Sequence, residues 1–279
     1  AVTALLAALG LSAVGRTLPA QSSAIRTPES VFGHSVGADF KLIGYDESIR
    51  YFGQLATASD RIKLVEVGRT SNGKAWTLAL ISSPANLANL ERLRTIAQRL
   101  AHPAGLTDEA ARTLAREGKA FVDISGGLHA SEIAGSQHTI QLAYDLLTRT
   151  DDRTRAILDN TVLLLWPSIN PDGQDIVVNW YRKNVGTPYE IAPLDELYQK
   201  YIGHDNNREF FTSTQKETEN INRALYHEWF PQLLYNHHQS APAGTVVYSP
   251  PFRDPYNYNL DPSMLLGIQA LGTAMHSRL

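Results

Sequence analysis

Apolar positions recur with two different periods along this chain, and each change of period marks a strand or a helix. Ile49, Phe52 and Leu55 fall one helical turn apart and predict a helix over 47–59. Residues 63–68 and 76–81 are strand-like, and Ser71-Asn72-Gly73 between them is a turn sequence, so the pair predicts a hairpin. Leu87, Leu90, Leu93, Ile96 and Leu100 mark a helix that His102-Pro103 ends. Thr107 as N-cap, acids in the next turn and Gly118 as a stop predict another. Phe121-Val122-Asp123-Ile124 opens as a buried strand and turns on Gly126-Gly127; Ile140, Ala143, Tyr144 and Leu147 then share one helix face. Residues 152–158 predict a second short helix. The unbroken apolar run 161–166 is the pattern of a strand covered on both faces of a parallel sheet. Asn170-Pro171-Asp172-Gly173 follows it, in an order that suits a type I turn. Residues 175–201 show no clear period and predict a long surface excursion. Thr214 and Glu217 read as a capping box for a helix over 214–230, with Ile221, Leu225 and Trp229 as its stripe. Residues 232–235 predict a short buried strand and 245–248 another; Pro250, Pro251 and Pro255 predict an extended loop, and 262–279 a last helix. Strands alternating with helices in this way imply an α/β fold with a mixed, mostly parallel central sheet flanked by helices.

Composition narrows the chemistry. At 279 residues the chain can bury the core of one sizeable α/β domain or two small ones. A net charge of -3 argues against an electrostatic nucleic-acid binder. There is no cysteine, so any metal must be held by His, Asp or Glu. Residues 1–15 are apolar and rich in Ala and Leu, yet shorter than the roughly 20 residues a membrane span needs. They read as the apolar region of a secretory signal peptide, with small residues near Ala20 or Ala24 as cleavage candidates. This predicts a signal remnant over 1–24, a polar linker over 25–43 broken by Pro28 and Gly33, and one domain over 44–279. The protein would then be secreted or periplasmic, with no membrane contact in its mature form.

His129 and Glu132 stand three residues apart just beyond the Gly126-Gly127 turn, at a strand-to-helix junction. Ligands of open α/β sheets bind outside the carboxyl ends of the strands. Imidazole nitrogen and carboxylate oxygen both ligate zinc, and a catalytic zinc takes three protein ligands and a water. Three sheet strands end in polar groups: His129 with Glu132, Asn170 with Asp172, and His237 with His238. All three ends would lie on one edge of a parallel sheet, and spacing alone places the third ligand on that edge.

Taken together, these strings resemble the zinc carboxypeptidases, the carboxypeptidase A-like metallopeptidases. The local string Gly-Gly-Leu-His-Ala-Ser-Glu carries the family's His-x-x-Glu at His129 and Glu132, and Asn170-Pro171-Asp172-Gly173 matches its Asn-Pro-Asp-Gly. The family's third ligand follows a strand in Asp-x-His; Asn236-His237-His238 fits with Asn for Asp, which implies His238, with His237 as the alternative. Trp180-Tyr181-Arg182-Lys183 resembles the string whose arginine polarises the scissile carbonyl, which would make Arg182 catalytic. Asp205-Asn206-Asn207-Arg208 resembles the family's Asp-x-Asn-Arg, where Asn207 and Arg208 would grip the substrate's terminal carboxylate and Asp205 would support a zinc-bound histidine. A planar guanidinium suits a carboxylate because it donates two charge-assisted hydrogen bonds to it. The resemblance implies one zinc per chain and peptide or protein C-termini as substrates. It departs in two ways: Asn236 replaces Asp, and the family's general-base glutamate lies beyond the last residue given, which implies a catalytic domain incomplete at its C-terminus and inactive as it stands.

Each site residue has a plainer alternative. The trio could be loop polar residues, Arg182 a surface cation, and Asn207-Arg208 a local cap. His102, His138, His204, His227 and His276 lack motif support and read as exposed or structural. Glu190, Glu209 and Glu228 follow no late buried strand and are not taken as the base. Besides a carboxypeptidase, the pattern admits a zinc deacylase of N-acyl amino acids or a catalytically silent binding relative.

Overall fold

The computed structural model describes residues 24–239, 249–251 and 256–278. The proposed signal segment over 1–24, apart from its last residue, lies outside them, as do the strand expected over 245–248 and Pro255.

The stretch read as a linker is packed. Pro28–Phe32 forms a short helix (α1), capped by the Thr27 hydroxyl, and Ile25, Val31, Phe32 and Val36 join the core. Its apolar content is enough to anchor it, and the Tyr51 hydroxyl donates to the Arg26 carbonyl at 2.8 Å. Helix α2 (Tyr45–Ala58) follows, then the hairpin β1 (Ile62–Arg69) and β2 (Ala75–Ile81), paired antiparallel as its turn sequence predicts. The helix expected over 87–100 is two, α3 (Pro84–Ala88) and α4 (Leu90–Ala101), because Asn89 leaves helical geometry. Helix α5 (Asp108–Glu117) has Thr107 as N-cap and Gly118 as C-cap. Strand β3 (Ala120–Gly126), helix α6 (Ala134–Thr148), helix α7 (Asp152–Asn160) and strand β4 (Thr161–Leu165) complete the central part.

Several expectations fail after β4. The Asn170-Pro171-Asp172-Gly173 string is the start of a 14-residue helix, α8 (Pro171–Asn184), and not a free turn. The Asn170 side chain accepts from the Gly173 N–H, and Pro171 takes the first helical position, where its missing N–H costs nothing. Helix α8 occupies residues 175–184 of the excursion expected over 175–201. Its period is hidden because its buried face begins with Asp172, Gly173 and Gln174 and reaches apolar Val177 and Val178 only later. A 3-10 helix follows at Gly203–Arg208, then α9 (Lys216–Arg223), which widens into a π-helical turn at Ala224–Trp229. The stripe Ile221, Leu225 and Trp229 is buried as expected. The capping box is not formed: Thr214 bonds the Glu209 carboxylate, and Glu217 reaches away to Ser71 and Gln199. Among the described residues strand β5 (Leu233–His237) is an edge strand with alternating burial, not a buried one, and α10 (Pro262–His276) closes the described chain.

The sheet order is β1-β2-β4-β3-β5. The sheet is mixed, with antiparallel pairing on the hairpin side and parallel pairing of β4, β3 and β5. Alternate side chains serve two cores, as the two-residue period of a strand requires. Leu78, Leu80, Phe121, Val162 and Leu164 face one core with Trp76, Trp166 and Trp229; Ala79, Ile81, Leu163 and Leu165 face the other with α2 and α6. The close of β3 against α6 depends on glycine. A Cβ at Gly126 would stand 2.2 Å from the Gly135 carbonyl oxygen, and Gly127 holds φ 78°. That contact sets where the chain beyond β3 emerges, and hence where His129 sits.

Candidate metal centre

Parallel register carries the three polar strand ends to one edge. Ser125 pairs with Asn236 and Gly126 with His237, so His238 leaves β5 beside the turn that leads to His129. Asn236 donates to the Ser125 hydroxyl at 2.9 Å and so pins the end of β5 to β3. Beyond Gly127 the chain makes one tight turn, with the Glu132 N–H bonded to the His129 carbonyl at 2.9 Å. This turn brings Glu132 back over His129.

His129, Glu132 and His238 gather so that one ligand atom from each lies within 4.8 Å of the others. The Nδ1 of His129 is 3.1 Å from Oε1 of Glu132, and the Nδ1 of His238 is 3.0 Å from Oε2. One carboxylate thus faces two imidazole nitrogens, one on each oxygen. The Gln239 N–H also donates to Oε2, at 2.9 Å. His129 is 4% exposed, and its Nε2 has no hydrogen-bond partner among the described residues. Burial pulls the His129 pKa below its ordinary value, against the opposing pull of Glu132. A neutral imidazole is the form that binds a metal. Two nitrogens and one carboxylate make the protein donor set of a catalytic zinc site, so these residues fit the ion. His237 does not compete: its ring lies 4.8 Å from that of His138 and 5.8 Å from that of Tyr235.

The other expected residues are distributed differently. Asn206 donates to the Leu128 carbonyl at 2.7 Å and ties the 3-10 helix to the residue before His129. Asn207 is half-buried and Arg208 exposed; Arg208 bonds the Asn207 carbonyl at 3.0 Å and has no acidic partner among the described residues. Asp205 does not reach His129. It is exposed and sits 3.8 Å from Nδ1 of His204. Arg182 is not brought to the trio either. As part of α8 it turns its guanidinium to the Glu47 carboxylate and the Leu42 carbonyl, both at 2.7 Å. The expectation of an oxyanion role rested on the resemblance of its string alone. The string is helical instead, and the guanidinium is spent on fastening α8 to the start of α2. The glutamates set aside as bases are engaged: Glu190 with Tyr181 and Gly186, Glu228 with Arg223, and Glu209 with Thr212, Thr214 and Gln215. Burial works to raise the Glu209 pKa, but those hydrogen bonds outweigh it and hold the carboxyl below its usual range.

Two site residues escape a reading of the sequence. His204 stacks on His129, with ring centroids 4.1 Å apart and planes 18° from parallel. Tyr198 lies 6.4 Å from the His129 ring, and burial pushes its phenol up to about 12. The one available signal for His204 is its place directly before the Asp205–Arg208 string.

A family model described as Zinc carboxypeptidase matches residues 49–264. A search of the curated proteins finds no match. Among solved structures the chain is similar to carboxypeptidase A from Helicoverpa armigera, at 14% identity and TM-score 0.51, covering 88% of this chain and 58% of that one. It is also similar to a metallo-carboxypeptidase from Burkholderia cenocepacia, at 16% identity and TM-score 0.46, covering 71% of this chain and 42% of that one. A metallo-carboxypeptidase from Pseudomonas aeruginosa, solved with (2-guanidinoethylmercapto)succinic acid, matches at 15% identity and TM-score 0.46, over 71% of this chain and 40% of its own. The chain therefore spans between about two fifths and three fifths of the length of these structures. The insect enzyme shares the fold, and the family model covers most of the described domain. This chain belongs to the zinc carboxypeptidase family.

Proposed function

We propose that the protein is a zinc-dependent metallocarboxypeptidase that removes residues from peptide C-termini. The observation that carries this reading is the pairing of both His Nδ1 atoms with the two oxygens of Glu132. In that arrangement a single cation can replace the protons between nitrogen and oxygen. His129, Glu132 and His238 would hold the ion, which supplies Lewis-acid polarisation of the scissile carbonyl and activation of water. His204 holds the plane of His129 by stacking, and Asn206 holds the main chain at Leu128. Arg208, exposed and without an acidic partner, receives the substrate's terminal carboxylate, with Asn207 beside it. We assign no proton acceptor among Glu190, Glu209 and Glu228, and no catalytic part to Arg182. Export through the apolar segment at 1–24 belongs to the same proposal; no described helix is long and apolar enough to cross a membrane.

The test uses the full-length, zinc-loaded protein on three substrates: a blocked dipeptide, the same dipeptide amidated at its C-terminus, and an N-acetyl amino acid. Preference for the free dipeptide is expected. Preference for the acetyl amino acid would favour a deacylase, and zinc uptake with binding but no hydrolysis would favour a silent relative.

A further inference from the structure

A groove of about 830 Å³ opens beside the trio. It borders the centre through its neighbours: Ser131 and Gln239, next in the chain to Glu132 and His238, both line it, and so does His204, which stacks on His129. Its walls are otherwise mostly apolar, with Phe40, Trp180, Leu194 and Leu197 among them. Phe40 and Leu197 are 67% and 55% exposed, so little of the fold's packing depends on them.

Phe40 also sits at φ 63°, in the left-handed region. A bulky aromatic residue adopts that conformation at an energetic cost, and strain of this kind persists where the surroundings hold it for a purpose. The surroundings here do hold it. Two residues on, the Leu42 carbonyl accepts from Arg182, and Ile43 is bonded through both N–H and carbonyl to Gln137. The main chain that carries this exposed ring is thereby held at the wall of an apolar groove that reaches the chain neighbours of two metal ligands.

Direction follows from the 3-10 helix. Gly203 and His204, at its start, line the groove, while Arg208, at its end, does not. Six residues at a rise of roughly 2 Å each put the two ends about 10 Å apart, with the start stacked on His129. A peptide whose carboxylate lies at Arg208 would pass the metal ligands and send its upstream residues into the groove.

We infer that this groove is the upstream half of the substrate site and selects bulky apolar side chains on the N-terminal side of the scissile bond, with Phe40 and Leu197 as specificity-determining residues. The inference rests on the carboxypeptidase reading for its direction.

The test is equilibrium binding of peptides acetyl-Xaa-Xaa-Ala whose last amide is replaced by a non-cleavable CH2–NH link, with Xaa as Ala, Asp or Phe. Burying one phenyl group supports a preference of at least about tenfold for Phe over Ala. Phe40→Gly and Leu197→Ser are each expected to cut that ratio to below about threefold and leave zinc content unchanged. Phe40→Gly should not lower Tm, since glycine relieves the left-handed conformation; a packing role would lower it. A ratio below about twofold in the parent, a ratio untouched by both variants, or an equal gain from acetyl-Ala-Ala-Phe alone would overturn the inference. Failure of zinc uptake would instead count against the carboxypeptidase reading, because the peptide ratio is measured without turnover.

Discussion

The half-buried carboxylate of Glu132 and the buried carboxylates of Asp172 and Glu217 differ in what satisfies them. Glu132 faces two imidazole nitrogens, one on each oxygen, and also accepts from the Gln239 N–H. Asp172 and Glu217 accept from the β1–β2 turn: Asp172 from the Thr70 hydroxyl and the Asn72 N–H, Glu217 from the Ser71 N–H and hydroxyl, at 2.7 to 3.0 Å. Main-chain N–H groups are fixed donors that need an acceptor once buried, so a carboxylate that serves them and faces no imidazole is committed to structure. Imidazole nitrogens can release a proton and take a cation in its place. The partner's chemistry, more than the acid's burial, therefore separates a metal ligand from a clamp. Glu217 also accepts from Gln199, whose own oxygen accepts from the Tyr201 and Ile202 N–H groups, so the clamp anchors the chain leading to His204.

The sharpest way to break this contrast is to remove one acid from each group. Glu132→Ala should abolish stoichiometric zinc, a larger effect than the roughly 10- to 100-fold loss of metal affinity caused by removing an outer-shell partner. Metal analysis with circular dichroism should show the zinc gone and the fold intact. The cations offer a parallel pair. Arg208, exposed, should matter to rate, and Arg182, held by Glu47 and the Leu42 carbonyl, to packing. Losing one partner of a buried charge pair costs about 2 to 5 kcal/mol, so Arg208→Ala should slow hydrolysis of free C-termini by on the order of thirtyfold to a few thousandfold. Amidated substrates should change far less, and Arg182→Ala should lower Tm without this distinction. Equal losses on both substrates in Arg208→Ala would show that it acts through stability.

Glu217→Ala is the structural counterpart and a smaller effect. It leaves the Ser71 N–H and Gln199 unsatisfied, at about 1 to 3 kcal/mol for each buried group left without a partner. Chemical denaturation should show that loss with zinc content retained; loss of zinc as well would erase the distinction between clamp and ligand.

The contrast also explains how far a sequence can be read. Glu132 was legible because its partners recur at fixed spacing from strand ends, and strands β3 and β4 were legible as apolar runs. Glu217 was misread as half of a capping box because Thr214 stands three residues before it, whereas both side chains are claimed by groups distant in the sequence or outside the helix. Helix α8 was hidden because its first buried turn is polar, with Asp172 reaching across to the hairpin turn. His204 was passed over because stacking leaves no trace in spacing. Arg182 was assigned by its string, and its actual partners lie 135 and 140 residues away in sequence.

A third kind of buried acid offers the mildest test. Asp123 on β3 accepts from the Trp166 indole N–H at 2.6 Å, and burial pushes its pKa up from 3.8 to about 7. The folded state therefore holds this proton more tightly than the unfolded chain does. Its contribution to stability is full below about pH 4, falls as pH rises toward 7, and is lost above that. Asp123→Asn keeps an acceptor for Trp166 and removes the titration. The variant should be more stable than the parent at pH 8 and show a flatter profile between pH 4 and 7; identical profiles would show that Asp123 stays ionised throughout.

The central claim is that His129, Glu132 and His238 form one zinc site, and the most direct test is zinc stoichiometry in His238→Ala beside His237→Ala. Both proteins should be folded by circular dichroism and equilibrated with the same limiting zinc. The account predicts about one zinc per chain in the parent and in His237→Ala, and none retained in His238→Ala. Full occupancy in His238→Ala, with loss in His237→Ala, would contradict it.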